Sequence, residues 1–427
     1  MGIPTSAVEE RRTDEARQIL VDNSRGDYTI PSPKLYPFQW NWDSAFTALG
    51  WAEFDVERAW REIEKLFDAQ WPSGMVPHIV FWSEESTYFP GPDVWKTGHV
   101  AGFDGTPPTS GISQPPVAAT VVRQLAAHDA ARAANLVPQL DAWHRWWHDA
   151  RDPSGNGVIA VSHPWESGRD NCPDWDAALA AVETDGLGSF VRRDLDLVDA
   201  GMRPHQRDYD RYLALVEFAA STGWNDAAIG AHSPFWVADP ATTAILLRAE
   251  RDLAALMSAA SIDNTPVLDR IARLEHGYEF LWNPTVGAYC SVDLRTGRQA
   301  DTATSASFLA PYAGITTHHD RVVDQLDDWA EAAPYGVTSF DPRHAGFEPN
   351  RYWRGPIWLV INHMIGRGLD DVGSFDRAER VRRSSHDLIV NTGFAESFNP
   401  MTGGAVGGPS FSWTAAVWLD WAGSAER

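Results

Sequence analysis

Asp170 sits in the run Pro164-Trp165-Glu166-Ser167-Gly168-Arg169-Asp170-Asn171-Cys172-Pro173-Asp174-Trp175-Asp176, between two tryptophans and among turn-forming residues. Glu396 stands far downstream in Phe394-Ala395-Glu396-Ser397-Phe398-Asn399-Pro400, ahead of Thr402-Gly403-Gly404 and Phe411-Ser412-Trp413-Thr414. Two carboxyl groups in aromatic, glycine-rich surroundings are what cleavage of a glycosidic bond needs. One protonates the leaving oxygen while the other activates water or attacks the sugar, and environment separates the roles. Both residues also have plainer readings, an Asx turn made by Asp-Asn before proline and a helix-end cap for Glu396. Glu166, Asp174 and Asp176 compete with Asp170 as the acid, although such neighbours are more often network or surface carboxylates.

Composition favours a carbohydrate ligand. The chain has 21 tryptophans, residues too bulky to be convenient core filler but well suited to the C–H face of a pyranose. Trp40, Trp42, Trp71, Trp82, Trp95, Trp165, Trp175, Trp353 and Trp413 fall in or beside irregular segments rich in Gly, Pro and Asp. A net charge of −23 argues against nucleic acid and acidic membranes, which reward clustered Lys and Arg. A small carbohydrate is therefore the expected partner, and self-association is left open. Glu9, Glu10, Arg11 and Arg12 occupy the place where a secretory leader would be apolar, so the cytoplasm is the expected location. Cys172 and Cys290, the two cysteines, are expected as free thiols. His144 and His148 share a helix face, but no third ligand accompanies them, and neither a metal nor a cofactor is expected.

The elements that must position these groups are helices. Apolar periodicity predicts them at 7–22, 43–52, 55–68, 115–134, 136–149, 207–222, 238–260, 264–282, 303–314, 319–331, 356–368, 375–391 and 411–423. One strand-like stretch, Ala288 to Val292, leads into a hairpin at Asp293-Leu294-Arg295-Thr296-Gly297. Four long irregular segments, near 70–114, 151–206, 333–355 and 393–410, are too aromatic for disorder and exceed ordinary connections, so they are expected to gather at one rim as a pocket. With no low-complexity linker, residues 1–427 read as one domain.

Four ordered segments carry a family resemblance: Gln39-Trp40-Asn41-Trp42-Asp43-Ser44-Ala45-Phe46, Trp165-Glu166-Ser167-Gly168-Arg169-Asp170, Tyr352-Trp353-Arg354-Gly355-Pro356-Ile357-Trp358, and the block from Glu396 to Trp413. They resemble the signatures of glycoside hydrolase family 63, in the clan that includes trehalases, and in particular its small bacterial mannosylglycerate and glucosylglycerate hydrolases. The resemblance implies an all-α, (α/α)6-barrel fold and an inverting exo-α-glycosidase with Asp170 as general acid and Glu396 as general base. The chemistry agrees with those roles, since Trp165 and Trp175 could raise a proton donor's pKa while the base must stay ionised. Tyr36, Trp40, Trp42 and Asp43 then correspond to the wall of the sugar subsite, with Gly168 in the acid loop and Tyr88, Gln114, Tyr352, Trp353, Trp358 and Trp413 as further sugar contacts. Asp43 could instead cap the following helix, and Trp358 could be core. Arg203 and Tyr209 match a loop facing the aglycone, where a guanidinium suits a carboxylate; an ion pair with Asp208 or Asp210 is the alternative. Phe411 stands where the glucosylglycerate enzymes carry glutamine, so an α-glucosidase or trehalase-like enzyme on a neutral disaccharide is the second reading. A sugar epimerase would rely on histidines, of which only His163 adjoins the motifs. A terpene cyclase would need an Asp-rich metal motif, which is missing, and a non-catalytic sugar-binding protein would not need both carboxylates.

Overall fold

Helices that are apolar all round belong inside a helical assembly, and helices with a single apolar stripe belong outside it. In the computed structural model, which describes residues 5–85, 88–100 and 102–423, Asn41–Ala52 lies inside, with every residue from Asn41 to Trp51 buried, the polar Asn41, Asp43, Ser44 and Thr47 included. It packs along Val56–Phe67, whose Ala59, Trp60, Ile63, Leu66 and Phe67 form one inward stripe. The same pairing joins Ala118–Leu125 to Ala130–Arg151, Pro240–Ala259 to Thr265–Tyr278, the 3₁₀ turn Ser305–Leu309 to His319–Ala332, Leu359–Asp371 to Phe375–Thr392, and Ser412–Val417 to Thr5–Asn23. The inner members also touch one another in chain order, and the last, Ser412–Val417, returns to Asn41–Ala52. This closed ring of six inner elements within six outer ones is an (α/α)6 barrel.

The pattern-based helices differ from the observed ones where caps intervene. The helix expected over 115–134 stops at Leu125, and Asp129 starts a new one by accepting the Arg132 N–H at 2.9 Å. That helix runs through Pro138 to Arg151, so 136–149 is only its latter part. Asn225 caps an unanticipated helix, Asp226–His232, and of 303–314 only the 3₁₀ turn is regular. The stretch Ala288 to Val292 is two strands with different partners: Ala288–Tyr289 pairs with Trp282–Asn283, and Val292–Asp293 forms the expected hairpin with Arg298–Gln299.

That hairpin completes an antiparallel four-stranded sheet with Val237–Ala238 and Ala160–Val161. The sheet brings the entry of the 151–206 segment against the N-terminus of the inner helix Pro240–Ala259. Asp239 caps that helix by accepting the Ala241 and Thr242 N–H groups. No helix among the described residues is long and apolar enough to cross a membrane.

Candidate active site

Beyond Ala160–Val161 the chain is forced into a tight, fully packed path. His163 Nδ1 accepts the Trp165 N–H at 3.0 Å and caps the 3₁₀ turn Pro164–Ser167, while Nε2 donates to the Tyr212 carbonyl at 2.9 Å. Burial holds the His163 pKa down at about 3, so the ring is neutral and already committed at both nitrogens. Gly168 then turns with φ +69°, and a Cβ there would stand 2.6 Å from the Trp42 ring. Arg169 runs backwards into the core, where its Nη2 donates to Asp239 Oδ1 at 2.5 Å.

Anchored in this way, Asp170 faces a cavity. Its carbonyl accepts from Trp175 Nε1 at 3.2 Å and Tyr212 Oη at 3.0 Å, so the backbone is fixed while the carboxyl is left to the pocket. Enclosure by protein pushes its pKa up to about 7; the Arg203 charge opposes the rise and the Glu396 charge adds to it. A carboxyl group in that range is about half protonated at neutral pH and can still give its proton up.

Glu396 arrives from the opposite side of the barrel. It precedes the hairpin Ser397–Phe398 with Ala405–Val406, and its N–H donates to the Gly408 carbonyl at 2.8 Å. Its Oε2 accepts the Gly408 N–H at 2.9 Å, its Oε1 accepts the Tyr36 hydroxyl at 2.8 Å, and Arg203 Nη1 lies 3.5 Å from Oε1. Burial raises its pKa, and Arg203, Gly408 and Tyr36 all pull toward the ionised form. Gly407, at φ +80°, leaves room for this carboxylate: a Cβ there would lie 2.2 Å from Oε2.

The cavity, with about 560 Å³ of space partly open to solvent, is lined by Tyr36, Trp40, Trp42, Asp43, Tyr88, Gln114, Trp165, Gly168, Asp170, Arg203, Tyr209, Tyr352, Trp353, Glu396, Phe411 and Trp413, with Pro31 and His78. All the anticipated residues but one are in its wall. Trp358 is the exception: it stacks flat behind Trp353, centroids 4.1 Å apart and 3° from parallel, and donates to the Tyr352 carbonyl. Its spacing from Tyr352 points it at the core, the packing alternative. Asp43 does not cap its helix, since it lies in the first turn after Trp40. Its carboxyl is buried at the cavity wall, and burial and the Glu396 charge raise its pKa well above the ordinary range. The side-chain amide oxygen of Gln114, Oε1, accepts the Trp42 N–H at 3.3 Å.

Several walls belong to the N-terminal ends of inner helices: Trp42 and Asp43 in the first turn of Asn41–Ala52, Phe411 and Trp413 at the start of Ser412–Val417, Gln114 ahead of Ala118–Leu125 and Trp353 ahead of Leu359–Asp371. A single match covers this arrangement. The family model for the mannosylglycerate hydrolase MGH1-like glycoside hydrolase domain spans residues 36–414. The chain belongs to this family. Among its relatives, mannosylglycerate hydrolase MGH1 of Selaginella moellendorffii is 44% identical over 98% of this chain and 87% of its own. The mannosylglycerate hydrolase of Thermus thermophilus is 45% identical over 95% and 99%. A crystal structure of the family 63 mannosylglycerate hydrolase from Thermus thermophilus in complex with Tris and D-glycerate matches with a TM-score of 0.92 at 43% identity, covering 96% of this chain and 99% of that one.

Within this family 63 glycoside hydrolase the carboxylates that competed with Asp170 are engaged elsewhere. Arg151 holds Glu166 through Nε and Nη2 at 2.9 and 2.8 Å, Asp174 accepts from Ser291 and Thr304, and Asp176 accepts both terminal nitrogens of Arg354. Arg203 pairs with neither Asp208 nor Asp210. Asp208 closes a capping box at His205, and the partner of Arg203 Nε is Asp194, at 3.0 Å. Trp71, Trp82, Trp95 and Trp175 lie outside the wall; Trp95 and Trp175 back it from behind by packing on Trp165 and bonding the Asp170 carbonyl. His144 and His148 both face the buried Glu250, at 3.2 and 3.0 Å. Burial keeps the Cys172 thiol protonated beside Arg169.

His78 and Pro31 were not anticipated. His78 stacks on Trp165, and burial holds its pKa well below the usual histidine range, so it offers the cavity a neutral imidazole. Its sequence signal was weak, a lone histidine in the apolar run Pro77-His78-Ile79-Val80.

Proposed function

We propose that the protein hydrolyses a small α-glycoside of glycerate, mannosylglycerate or glucosylglycerate, with inversion, Asp170 acting as general acid and Glu396 as general base. One observation carries this reading: two buried carboxyls face a single enclosed cavity, and only Glu396 has hydrogen-bond donors fixed on its carboxylate oxygens. Asp170 is pushed up to about 7 chiefly by burial; Glu396 is also raised by burial, but the Arg203 charge, the Gly408 N–H and the Tyr36 hydroxyl oppose that rise directly at its carboxylate. In the reaction Asp170 gives its proton to the glycosidic oxygen as that bond breaks. Glu396 takes a proton from the attacking water, whose oxygen bonds the anomeric carbon from the other face. Asp43 and Gln114 offer hydrogen-bond partners to the ring hydroxyls, and Trp42 and Trp353 offer apolar faces. The relatives at 44–45% identity are mannosylglycerate hydrolases, and the guanidinium of Arg203 supports an anionic aglycone.

The test is release of free sugar from mannosylglycerate, glucosylglycerate, trehalose, kojibiose, nigerose and maltose, with early-time NMR of the anomer formed. The β-anomer first, from an α-glycosylglycerate, is the expected result; the α-anomer first would overturn the assignment of Glu396 as a base. A second reading, an α-glucosidase for neutral disaccharides, is favoured by Phe411. This apolar ring packs edge-on to Tyr36 at 5.7 Å and beside Trp413 at 4.5 Å, at a place where an anion would need a polar group. A preference for kojibiose or maltose over both glycerate glycosides would select it.

A further inference from the structure

Arg203 is a buried guanidinium with its donors divided. Nε donates to Asp194 Oδ2 at 3.0 Å, Nη1 donates to the Tyr36 hydroxyl at 2.8 Å with Glu396 Oε1 at 3.5 Å, and its face lies 4.3 Å from the Tyr352 ring. The position of the cation beside Glu396 is therefore set by a residue on the far side of it. Asp194 is itself clamped by Arg192, through Nε to Oδ1 at 3.0 Å and Nη2 to Oδ2 at 2.5 Å. Arg192 is fixed in turn by the Pro204 carbonyl at 2.7 Å and by stacking 3.9 Å over Tyr209, a residue of the cavity wall. Arg192, Asp194 and Arg203 thus form a line of alternating charge that ends on Glu396.

We infer that Asp194, clamped by Arg192, is a positioning residue that sets both the place and the effective charge of Arg203 against the carboxylate of Glu396. This inference rests on the proposed role of Glu396 as base. Two opposed consequences follow from the charge order. Without the negative charge of Asp194, Arg203 acts on Glu396 undivided, and the carboxylate becomes easier to ionise and weaker as a base. Without Arg192, Asp194 is uncompensated, draws Arg203 toward itself and adds its own repulsion, so Glu396 becomes harder to ionise. The other groups facing Glu396 are Tyr36, Tyr352, Asp43, Asp170 and the Gly408 N–H. Neither variant alters any of them.

The experiment compares pH profiles of kcat/KM for the wild type, Asp194→Asn and Arg192→Gln, on whichever glycoside of the panel the wild type turns over fastest. Asn keeps one acceptor oxygen for Arg203 Nε and Arg192 Nη2, and removes the charge together with the oxygen that accepts from Arg192 Nε. The acid limb should move down in Asp194→Asn and up in Arg192→Gln, each by roughly half a pH unit or more, a shift a neighbouring charge readily produces. Asp194→Glu should return the limb toward the wild-type position. Limbs that stay at the wild-type pH in both variants, or that move the same way, would overturn the inference, because a merely structural clamp lowers activity without opposite displacements. If Asp194→Asn fails to fold, the direction of the Arg192→Gln shift decides alone. Loss of the acid limb in Glu396→Gln separates the two levels: a limb that persists in that variant removes Glu396 from the base role, whereas a limb it abolishes but the clamp variants leave in place removes only the clamp.

Discussion

Asp170 carries a cost that its neighbours make measurable. Its folded pKa of about 7 lies above the ordinary carboxyl value, so folding takes up a proton between those two pH values. The raised pKa favours the folded state at low pH, and that advantage is lost as pH climbs through the folded pKa. Asp170→Asn has no such titration, so its stability relative to the wild type should increase from pH 4 to 7 and level off above, by on the order of a few kcal/mol. Melting temperatures of both proteins across that range check the sign; parallel curves would show that Asp170 titrates normally. The same variant, and Glu396→Gln, should each lower kcat by about a hundredfold or more while the protein stays folded, and the double variant should lose no more than the worse single one. Activity itself should fall above about pH 7 as Asp170 loses its proton. At this scale the sequence was informative because aromatic and glycine neighbours accompany both carboxylates. It could not show Asp194 or Arg192, whose meaning lies only in the through-space order of charges, and it misplaced Trp358, because spacing alone does not tell which face of a turn meets the cavity.

The loop that presents Asp170 depends on one buried ion pair. Arg169 Nη2 meets Asp239 Oδ1 at 2.5 Å, and Asp239 simultaneously caps the inner helix Pro240–Ala259. Substituting Asp239→Ala strands a buried cation with only the more distant Asp174, 3.8 Å away, and uncaps the helix. A loss of about 3–5 kcal/mol is expected from the broken pair, read by urea unfolding, together with a fall in kcat as Asp170 loses its anchor. An unchanged midpoint would mean that His163, Tyr212 and the tryptophans hold the loop without this pair. Periodicity found the outer helices well because an apolar stripe is local information. It failed at 115–134 and 303–314, where a cap such as Asp129 or a 3₁₀ turn decides the boundary from outside the pattern.

The ring closes where the first inner helix meets the last. Gly50 is at that seam: a Cβ there would lie 2.6 Å from the Ala416 Cα and 2.8 Å from its Cβ. Even Gly50→Ala should therefore cost roughly 1–3 kcal/mol through forced backbone shifts, checked by thermal melting; a neutral result would mean that the seam is looser than its geometry. Barrel architecture was legible from the count and order of helices together with the four ordered motifs, whereas which helices touch across the seam is a matter of long-range packing that no window of sequence contains. That seam has a consequence for the nascent chain. Wall residues run from Pro31 to Trp413, and Thr5–Asn23 packs chiefly on Ser412–Val417, with lesser contacts to Asn41–Ala52 and Phe375–Thr392. As the chain leaves the ribosome, the helix Asn41–Ala52 can pack early on Thr5–Asn23 and Val56–Phe67, but its face toward Ser412–Val417 stays uncovered until nearly everything else has been made, because contacts so distant in sequence form late. A chain interrupted before residue 412 would therefore hold Asp170, Glu396 and most of the cavity wall with the ring left open at its seam.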